Sequence, residues 1–127
     1  MPAPVVLVVE DDPTILQLLE VNFEMEGFVV LTAEDGEQGL AVARESGPDV
    51  VVSDVMMPKM SGIELLQALK SDPKTSRIPV LLLSAKAQGA DVRAGLDAGA
   101  DGYVTKPFEP LDLIDRVNAV LLRSGES

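Results

Sequence analysis

Short apolar runs recur along the chain at nearly even spacing. They cover residues 5–9, 28–32, 49–53, 79–83 and 101–104. The segments between them carry apolar residues at helical spacing, so the pattern predicts five strands alternating with five helices. The runs are nearly continuous in valine and leucine. We therefore expect strands that are buried on both faces, in a parallel sheet covered by helices.

Capping signals predict where several of these helices begin and end. Aspartate or serine caps the start of two helices, and glycine or glutamate–proline marks the start of two more. Glycine–proline and aspartate–proline pairs end the second and third helices. In chain order the boundary residues are Asp12–Pro13, Gly36, Gly47–Pro48, Ser61 with Glu64, Asp72–Pro73 and Glu109–Pro110.

The fourth helix, about residues 87–98, has the weakest pattern. Gly89 and Gly95 each cost about 1 kcal/mol relative to alanine, and only Val92 and Leu96 add larger apolar side chains to its inward side. We therefore expect low local stability in this helix. If Gly95 does not need a positive φ, Gly95→Ala is predicted to stabilise this helix.

Length and composition narrow the classes of protein further. The 127 residues fit one domain over 1–127, with a core at about 5–122 and a frayed tail at 124–127. No cysteine and no histidine occur, which excludes disulfides, thiolate nucleophiles, Ser-His-Asp triads and ordinary zinc sites.

Charge and hydropathy bear on the partners. The formal net charge is −11, so the chain is predicted to be a poor direct binder of nucleic acid. No apolar run approaches the roughly 20 residues that a membrane span needs, and we see no signal peptide. The sequence therefore predicts a soluble, cytoplasmic protein.

Polar residues follow the predicted strands. The first strand is followed by Glu10 and Asp11, the third by Asp54, the fourth by Ser84 and the fifth by Lys106. Ligands of open α/β sheets bind at the carboxyl ends of the strands. If the third strand lies beside the first, and the fourth and fifth follow, adjacent ends are about 4.8 Å apart. Only a long side chain from the fifth strand then reaches the third.

These residue types suit phosphoryl chemistry. Clustered carboxylates repel one another unless a cation offsets them, and Mg²⁺ with oxygen ligands fits. Lys106 supplies a second positive charge and Ser84 a hydrogen-bond donor, which together make an electrostatic phosphoryl site. Asp54 lies between the predicted metal and Lys106, so it is the candidate nucleophile.

Four motifs with this order and spacing are VVLVVEDD, VVVSDVMMPKMSG, VLLLSAK and GADGYVTKPF. The chain resembles a receiver domain of two-component response regulators, of the chemotaxis-receiver type, over about residues 5–122. The resemblance implies a flavodoxin-like, doubly wound (βα)5 domain whose parallel sheet has the strand order 2-1-3-4-5.

The resemblance also implies the roles of individual residues. Asp54 would accept a phosphoryl group from a phosphohistidine of a partner kinase or phosphotransfer protein. Mg²⁺ would be held by Asp11, Asp54 and the backbone carbonyl of Met56, with Glu10 acting largely through metal-bound water. The remaining implied roles are phosphoryl binding by Ser84 and Lys106, inward rotation of Tyr103, and a cis peptide between Lys106 and Pro107.

The last helix suggests a partner surface. Leu113, Val120 and Leu122 are expected to widen its apolar stripe beyond one face, which a surface helix needs only when it packs a partner. We expect a switchable surface of the fourth helix, fifth strand and fifth helix that contacts a downstream protein, a fused output domain or a second copy of the chain.

Three alternatives remain open at this point. A haloacid-dehalogenase-like, Mg²⁺-dependent aspartyl phosphatase would need a second aspartate at the position of Met56. A flavodoxin-like electron carrier would need a Ser/Thr/Gly-rich loop where Glu10–Asp11–Asp12 stands. The third is a phosphorylation-independent pseudo-receiver, against which the full set of site residues argues. The expected protein is a phosphoacceptor and not a turnover enzyme.

Overall fold

The computed structural model describes residues 3–57, 59–85 and 89–126. Its strands and helices alternate, as predicted, and each strand after the first lies one residue later than the apolar pattern indicated. The elements are β1 (Val5–Val9), α1 (Pro13–Met25), β2 (Val29–Ala33), α2 (Gly36–Ser46), β3 (Val50–Asp54), α3 (Gly62–Ser71), β4 (Val80–Ser84), α4 (Gly89–Asp97), β5 (Gly102–Thr105) and α5 (Pro110–Glu126).

The strands form one parallel sheet in the order β2-β1-β3-β4-β5. This order confirms the predicted doubly wound, flavodoxin-like fold. The register pairs Val9 with Ser53, Asp54 with Leu83, and Ser84 with Thr105. The carboxyl ends of four neighbouring strands therefore meet at one edge of the sheet, where the chemistry-bearing residues lie.

The core has two layers because successive strand residues face opposite sides of the sheet. Helices α1 and α5 cover one side, and α2 and α3 cover the other. The first layer contains Val6, Val8, Leu19, Phe23, Val50, Val52, Leu81, Leu83, Leu113, Ile114 and Val117. The second contains Leu7, Val9, Val51, Leu65, Leu66, Leu69, Val80 and Leu82.

The caps predicted at the starts of α1 and α3 are both present. The Asp12 side chain accepts a 2.9 Å hydrogen bond from the Thr14 backbone N–H, and Ser61 and Glu64 make the reciprocal capping box. A third cap, Asp35 at the start of α2, was not predicted from the sequence. Asp35 is buried and extended in φ and ψ, which leaves its carboxylate free to accept from a backbone N–H of the first turn.

Helix α4 differs from its prediction. Leu96 is 49% exposed, so the prediction that it faces inward is wrong. The buried face carries Gly95 instead, and a Cβ built there would lie 2.9 Å from Leu82 Cδ1. The side chain of Val92 lies outside the described residues. A glycine on this face lets α4 lie close to β4.

Helix α5 also corrects a prediction. Leu113 and Val120 are buried, at 0% and 4% exposure. They lie two turns apart and therefore on the same inward face, so they do not widen the apolar stripe. Leu122 alone of the three is exposed. The helix continues to Glu126, where a frayed tail was expected from residue 124, and Ser127 lies outside the described residues.

The amino end of β4 is held by polar contacts. The Asp101 carboxylate accepts a 2.8 Å hydrogen bond from the Val80 backbone N–H. The Lys70 ammonium lies 3.9 Å from the same carboxylate and donates to the carbonyls of Ser76 and Ile78. These contacts join α3, β4 and the segment before β5. Among the helices described, none is long and apolar enough to cross a membrane.

Candidate functional site

Three carboxylates converge at the carboxyl edge of the sheet. Glu10 and Asp11 follow β1, and Asp54 is the last residue of β3, the neighbouring strand. One oxygen from each carboxylate lies within 4.8 Å of the others. Glu10 and Asp54 are buried, at 1% and 5% exposure, whereas Asp11 is exposed. The cluster thus has a buried floor and one carboxylate open to solvent.

Lys106 reaches this cluster from the segment after β5. Its Nζ lies 2.8 Å from Glu10 Oε1 and 3.4 Å from Asp54 Oδ2. The strand order predicted the approach to Asp54, but not the shorter hydrogen bond to Glu10. The peptide between Lys106 and Pro107 is cis.

Burial and pairing change the acid–base properties of two of these groups. Burial raises the pKa of Glu10 above its ordinary value, and hydrogen bonds from Lys106 and the Asp12 backbone N–H offset this only in part. Burial alone would lower the pKa of Lys106. The hydrogen bond to Glu10 and the charge of Asp54 outweigh burial, so the pKa of Lys106 is raised.

The residue set fits a hard divalent cation. All of the converging donors are carboxylate oxygens, which are the ligands that Mg²⁺ prefers. Among the residues that the structure describes, these three carboxylates face one ammonium, which leaves two negative charges to be offset. The exposed Asp11 leaves the cluster accessible from solvent, as a partly hydrated ion requires. The predicted members Glu10, Asp11 and Asp54 therefore do lie together.

Met56 lies two residues beyond Asp54, on the segment that leads to α3. Its side chain is exposed. The position is close to the acid cluster along the chain, and the candidate ligand there is the backbone carbonyl. Pro58, which belongs to the same sequence motif, lies outside the described residues.

Ser84 and Tyr103 occupy neighbouring strands. Ser84 ends β4 and is buried. Tyr103 lies on β5, where it packs against the core layer under α2 and α3 and is partly exposed. A Cβ built on Gly95 would lie 3.3 Å from Tyr103 Cδ2, so the ring contacts α4. The Tyr103 carbonyl accepts a 3.4 Å hydrogen bond from Arg116 of α5.

An apolar cavity of about 360 Å³ opens beside Lys106. It lies between the start of α1 and the segment that joins β5 to α5. Its lining residues are Ile15, Leu18, Ala85, Lys106, Pro107 and Phe108. The Lys106 side chain therefore separates an apolar surface from the acid cluster.

The family model for the response regulator receiver domain matches residues 6–118. This chain belongs to that family. The assignment confirms the resemblance that the four motifs indicated. It makes the chain a signalling domain of two-component systems, and it favours neither the phosphatase nor the pseudo-receiver alternative.

Curated relatives of this receiver domain are transcriptional regulators. It is 43% identical over 121 residues to the DNA-binding dual master transcriptional regulator RpaA of Synechocystis sp., covering 95% of this chain and 50% of that protein. It is 44% identical over 119 residues to the alkaline phosphatase synthesis transcriptional regulatory protein PhoP of Bacillus subtilis, covering 94% and 49%. The chain thus spans about half the length of these relatives.

Solved structures agree with the fold. The receiver domain of the Francisella response regulator 1452 superposes with a TM-score of 0.89 at 39% identity, covering 95% of this chain and 98% of that one. The chemotaxis protein CheY4 of Vibrio cholerae superposes with a TM-score of 0.88 at 33% identity, covering 93% and 98%.

Proposed function

We propose that Asp54 of this receiver domain is the phosphoacceptor of a phosphorelay. The observation that carries the proposal is the position of the Asp54 carboxylate, which lies within the acid cluster and 3.4 Å from the Lys106 ammonium. A nucleophilic carboxylate in this position has a positive charge and a candidate cation site beside it. Phosphoryl transfer depends mainly on such positioning and electrostatics.

Mg²⁺ would be held in this proposal by the carboxylates of Asp11 and Asp54 and the backbone carbonyl of Met56. Glu10 would act largely through metal-bound water. When bound, Mg²⁺ supplies positive charge beside the oxygens of the incoming phosphoryl group. Lys106 carries out the corresponding task from the β5 side, because its ammonium already reaches both buried carboxylates.

The transfer exchanges one bond for another. An oxygen of Asp54 forms a bond to phosphorus as the bond from phosphorus to the donor imidazole nitrogen breaks, and the donor imidazole leaves. Residues 1–127 contain no histidine, so the donor imidazole lies outside them, and we take it to belong to a histidine kinase or phosphotransfer protein. The receiver domain is then a phosphoacceptor rather than a turnover enzyme.

The donor would dock on the apolar side of Lys106. The cavity beside Lys106 includes Leu18, and the exposed residues Val21 and Met25 continue the apolar surface along α1. Positions three and four residues apart lie on one helix face. A donor helix packed on this face would present its imidazole to Asp54 at the adjacent edge of the sheet.

Phosphorylation would switch the surface of α4, β5 and α5. The added charge, about −1.5 to −2, attracts the Ser84 hydroxyl and the Lys106 ammonium. Movement of Ser84 leaves volume that Tyr103 fills, and α4 follows because Gly95 lies against the Tyr103 ring. The surface of these three elements then binds a partner or a second copy of the chain.

The process that this receiver domain controls is inferred from its relatives by analogy. The matched regulators are about twice as long as this chain, and two of them are named as DNA-binding. We propose that residues 1–127 form one receiver domain that controls an output of this kind, either fused to it or on a separate protein. Its own charge of −11 makes direct contact with DNA unfavourable.

Incubation with Mg²⁺ and acetyl phosphate tests the proposal. We expect a mass gain of one phosphoryl group in the wild-type chain, none in Asp54→Asn, and an unchanged gain in Glu45→Gln, an exposed acid of α2. A phosphoryl group that persists in Asp54→Asn, or a wild-type chain that gains none, overturns the assignment.

A further inference from the structure

The start of α2 lies unusually close to the segment that follows the phosphoacceptor. A Cβ built on Gly36 would lie 2.5 Å from the carbonyl oxygen of Met60 and 2.7 Å from its Cβ. Gly36 does not have a left-handed φ, so close approach, and not backbone conformation, requires glycine here. A methyl group at this position must displace the Met60 backbone.

Met60 belongs to the β3–α3 loop, residues 55–61, which also carries the Met56 carbonyl. The Gly62 N–H closes the base of this loop with a 2.9 Å hydrogen bond to the carbonyl of Val55. The far side of the loop rests on α2 through Gly36. The loop is therefore held at two points. The hydrogen bond between Gly62 and Val55 lies next to Asp54, and the contact of Met60 with Gly36 lies away from it.

A second contact reinforces the far side. The Lys59 ammonium lies 3.8 Å from the carboxylate of Asp35, the N-cap of α2. Lys59 itself has a φ of 68°, a conformation that is unfavourable for lysine. The loop thus keeps a strained residue where it meets the start of α2, which indicates that its path is set by this neighbour.

The β2–α2 connection also contacts the other half of the acid cluster. The Glu10 backbone N–H donates a 3.0 Å hydrogen bond to the carbonyl of Ala33, the last residue of β2. Residues 33–36 therefore contact the end of β1, which leads into Glu10 and Asp11, and also the β3–α3 loop, which carries the Met56 carbonyl. Residues 33–36 themselves do not belong to the acid cluster.

We infer that Gly36 is a positioning residue of the metal site: the absence of a side chain lets α2 hold the β3–α3 loop, and with it the Met56 carbonyl, in place for Mg²⁺. This inference rests on the proposed function of the site. Groups that orient metal ligands typically change metal affinity by about 10- to 100-fold when altered. For Gly36→Ala we expect a loss of Mg²⁺ affinity of about tenfold, which is the lower end of this range.

Gly39→Ala is the matched control. Gly39 lies on the same helix and is also closely packed, because its built Cβ would be 2.9 Å from Val9 Cγ2 and 3.3 Å from Leu65 Cδ2. Its contacts are core side chains and not the loop. We expect this variant to lose stability while its affinity for Mg²⁺ stays within about twofold of the wild type.

Three measurements on the full chain separate positioning from general destabilisation. Calorimetric titration gives the Mg²⁺ affinity, and urea unfolding without Mg²⁺ gives the stability. In acetyl phosphate reactions, Gly36→Ala is expected to raise the Mg²⁺ concentration for half-maximal rate and to leave the rate at saturating Mg²⁺ near that of the wild type. Its amide NMR shifts without Mg²⁺ are expected to change at Val55, Lys59 and Met60.

If Gly36→Ala does not fold, Met60→Ala removes part of the same contact without adding volume. We expect weaker Mg²⁺ binding than in the wild type but a smaller loss than the roughly tenfold expected of Gly36→Ala, because the backbone contact remains. Unchanged Mg²⁺ affinity in the folded variant, or an equal loss in Gly39→Ala, refutes the role of Gly36. A wild-type chain that binds no Mg²⁺ refutes instead the proposed function on which the inference rests.

Discussion

Lys106 donates a 2.8 Å hydrogen bond to Glu10, from which it is separated by 96 residues in the chain. The same ammonium lies 3.4 Å from Asp54. Before any phosphoryl group arrives, Lys106 therefore offsets the charge of the two buried acids of the site. We expect this pairing to affect folding stability as well as the proposed phosphoryl transfer, and the two effects can be measured separately.

Lys106→Met is expected to destabilise the chain. The substitution keeps most of the side-chain volume but leaves Glu10 and Asp54 buried without their cation, at a cost of about 3 kcal/mol near neutral pH. Urea unfolding measures the loss, and Lys74→Met, at an exposed position, is the control with an expected change of about 0.5 kcal/mol or less. Equal stability of the two variants would show that the Lys106 pairing is not stabilising.

The stability of the metal-free protein is expected to depend on the ionisation of Glu10. Because the folded-state pKa of Glu10 is raised above 4.5, the folded state binds more protons than the unfolded state between 4.5 and the raised value. The contribution of Glu10 to the free energy of unfolding therefore falls as pH rises through that interval.

Glu10→Gln removes this contribution. Urea unfolding of both proteins across the acidic range, with a chelator present, measures the difference. The pKa of Lys106 is raised from 10.5, so its contribution stays complete below that pH and does not disturb the comparison. Parallel stability curves for the wild type and Glu10→Gln would contradict the prediction.

Mg²⁺ is expected to stabilise the folded chain by binding to the acid cluster. At ten times its dissociation constant a ligand adds about 1.4 kcal/mol, which corresponds to a rise in Tm of about 5 °C for a domain of this length. Thermal unfolding with Mg²⁺ and with chelator measures the shift. Asp11→Asn should lose most of it, whereas Glu24→Gln, an exposed acid on α1, should retain it.

Gly95→Ala is expected to destabilise the chain, which reverses the prediction from helix propensity. The new methyl group would lie 2.9 Å from Leu82 Cδ1 and 3.3 Å from Tyr103 Cδ2, and overpacking of this kind costs about 1–3 kcal/mol. Tyr103 is the only tyrosine and the chain has no tryptophan, so intrinsic fluorescence reports on that ring.

The exposed position Ala94 on the same helix provides the comparison. Ala94→Gly lowers helix propensity by about 1 kcal/mol without contacting Tyr103. We expect a changed tyrosine emission in Gly95→Ala alone. Greater stability of Gly95→Ala would instead support the helix-propensity argument.

The fold was predictable because its determinants are local. Apolar runs and caps such as Asp12 and Ser61 specify elements over a few residues each. The ends of β3 and β4 were predicted one residue early because Asp54 and Ser84 are polar but still belong to the ladder. A hydrophobic pattern cannot register a polar residue that closes a strand.

The site was predictable only as far as strand order determines it. The meeting of Asp11, Asp54 and Lys106 follows from which strands are neighbours. The Lys106–Glu10 bond depends on side-chain torsions, and the contact of Gly36 with Met60 depends on how closely two loops approach. The error at Val120 has a similar origin, since the inward face of α5 is set by tertiary packing.

The two ends of β4 have different roles. At the amino end, the bonds of Asp101 to Val80 and Lys70 hold the strand in register, while Ser84 stands at the other end, beside the acids. Asp101→Ala should therefore weaken folding and spare acceptance of the phosphoryl group. Substitutions that affect the amino end of this five-residue strand should therefore lower stability, whereas substitutions at Ser84 should affect phosphoryl binding.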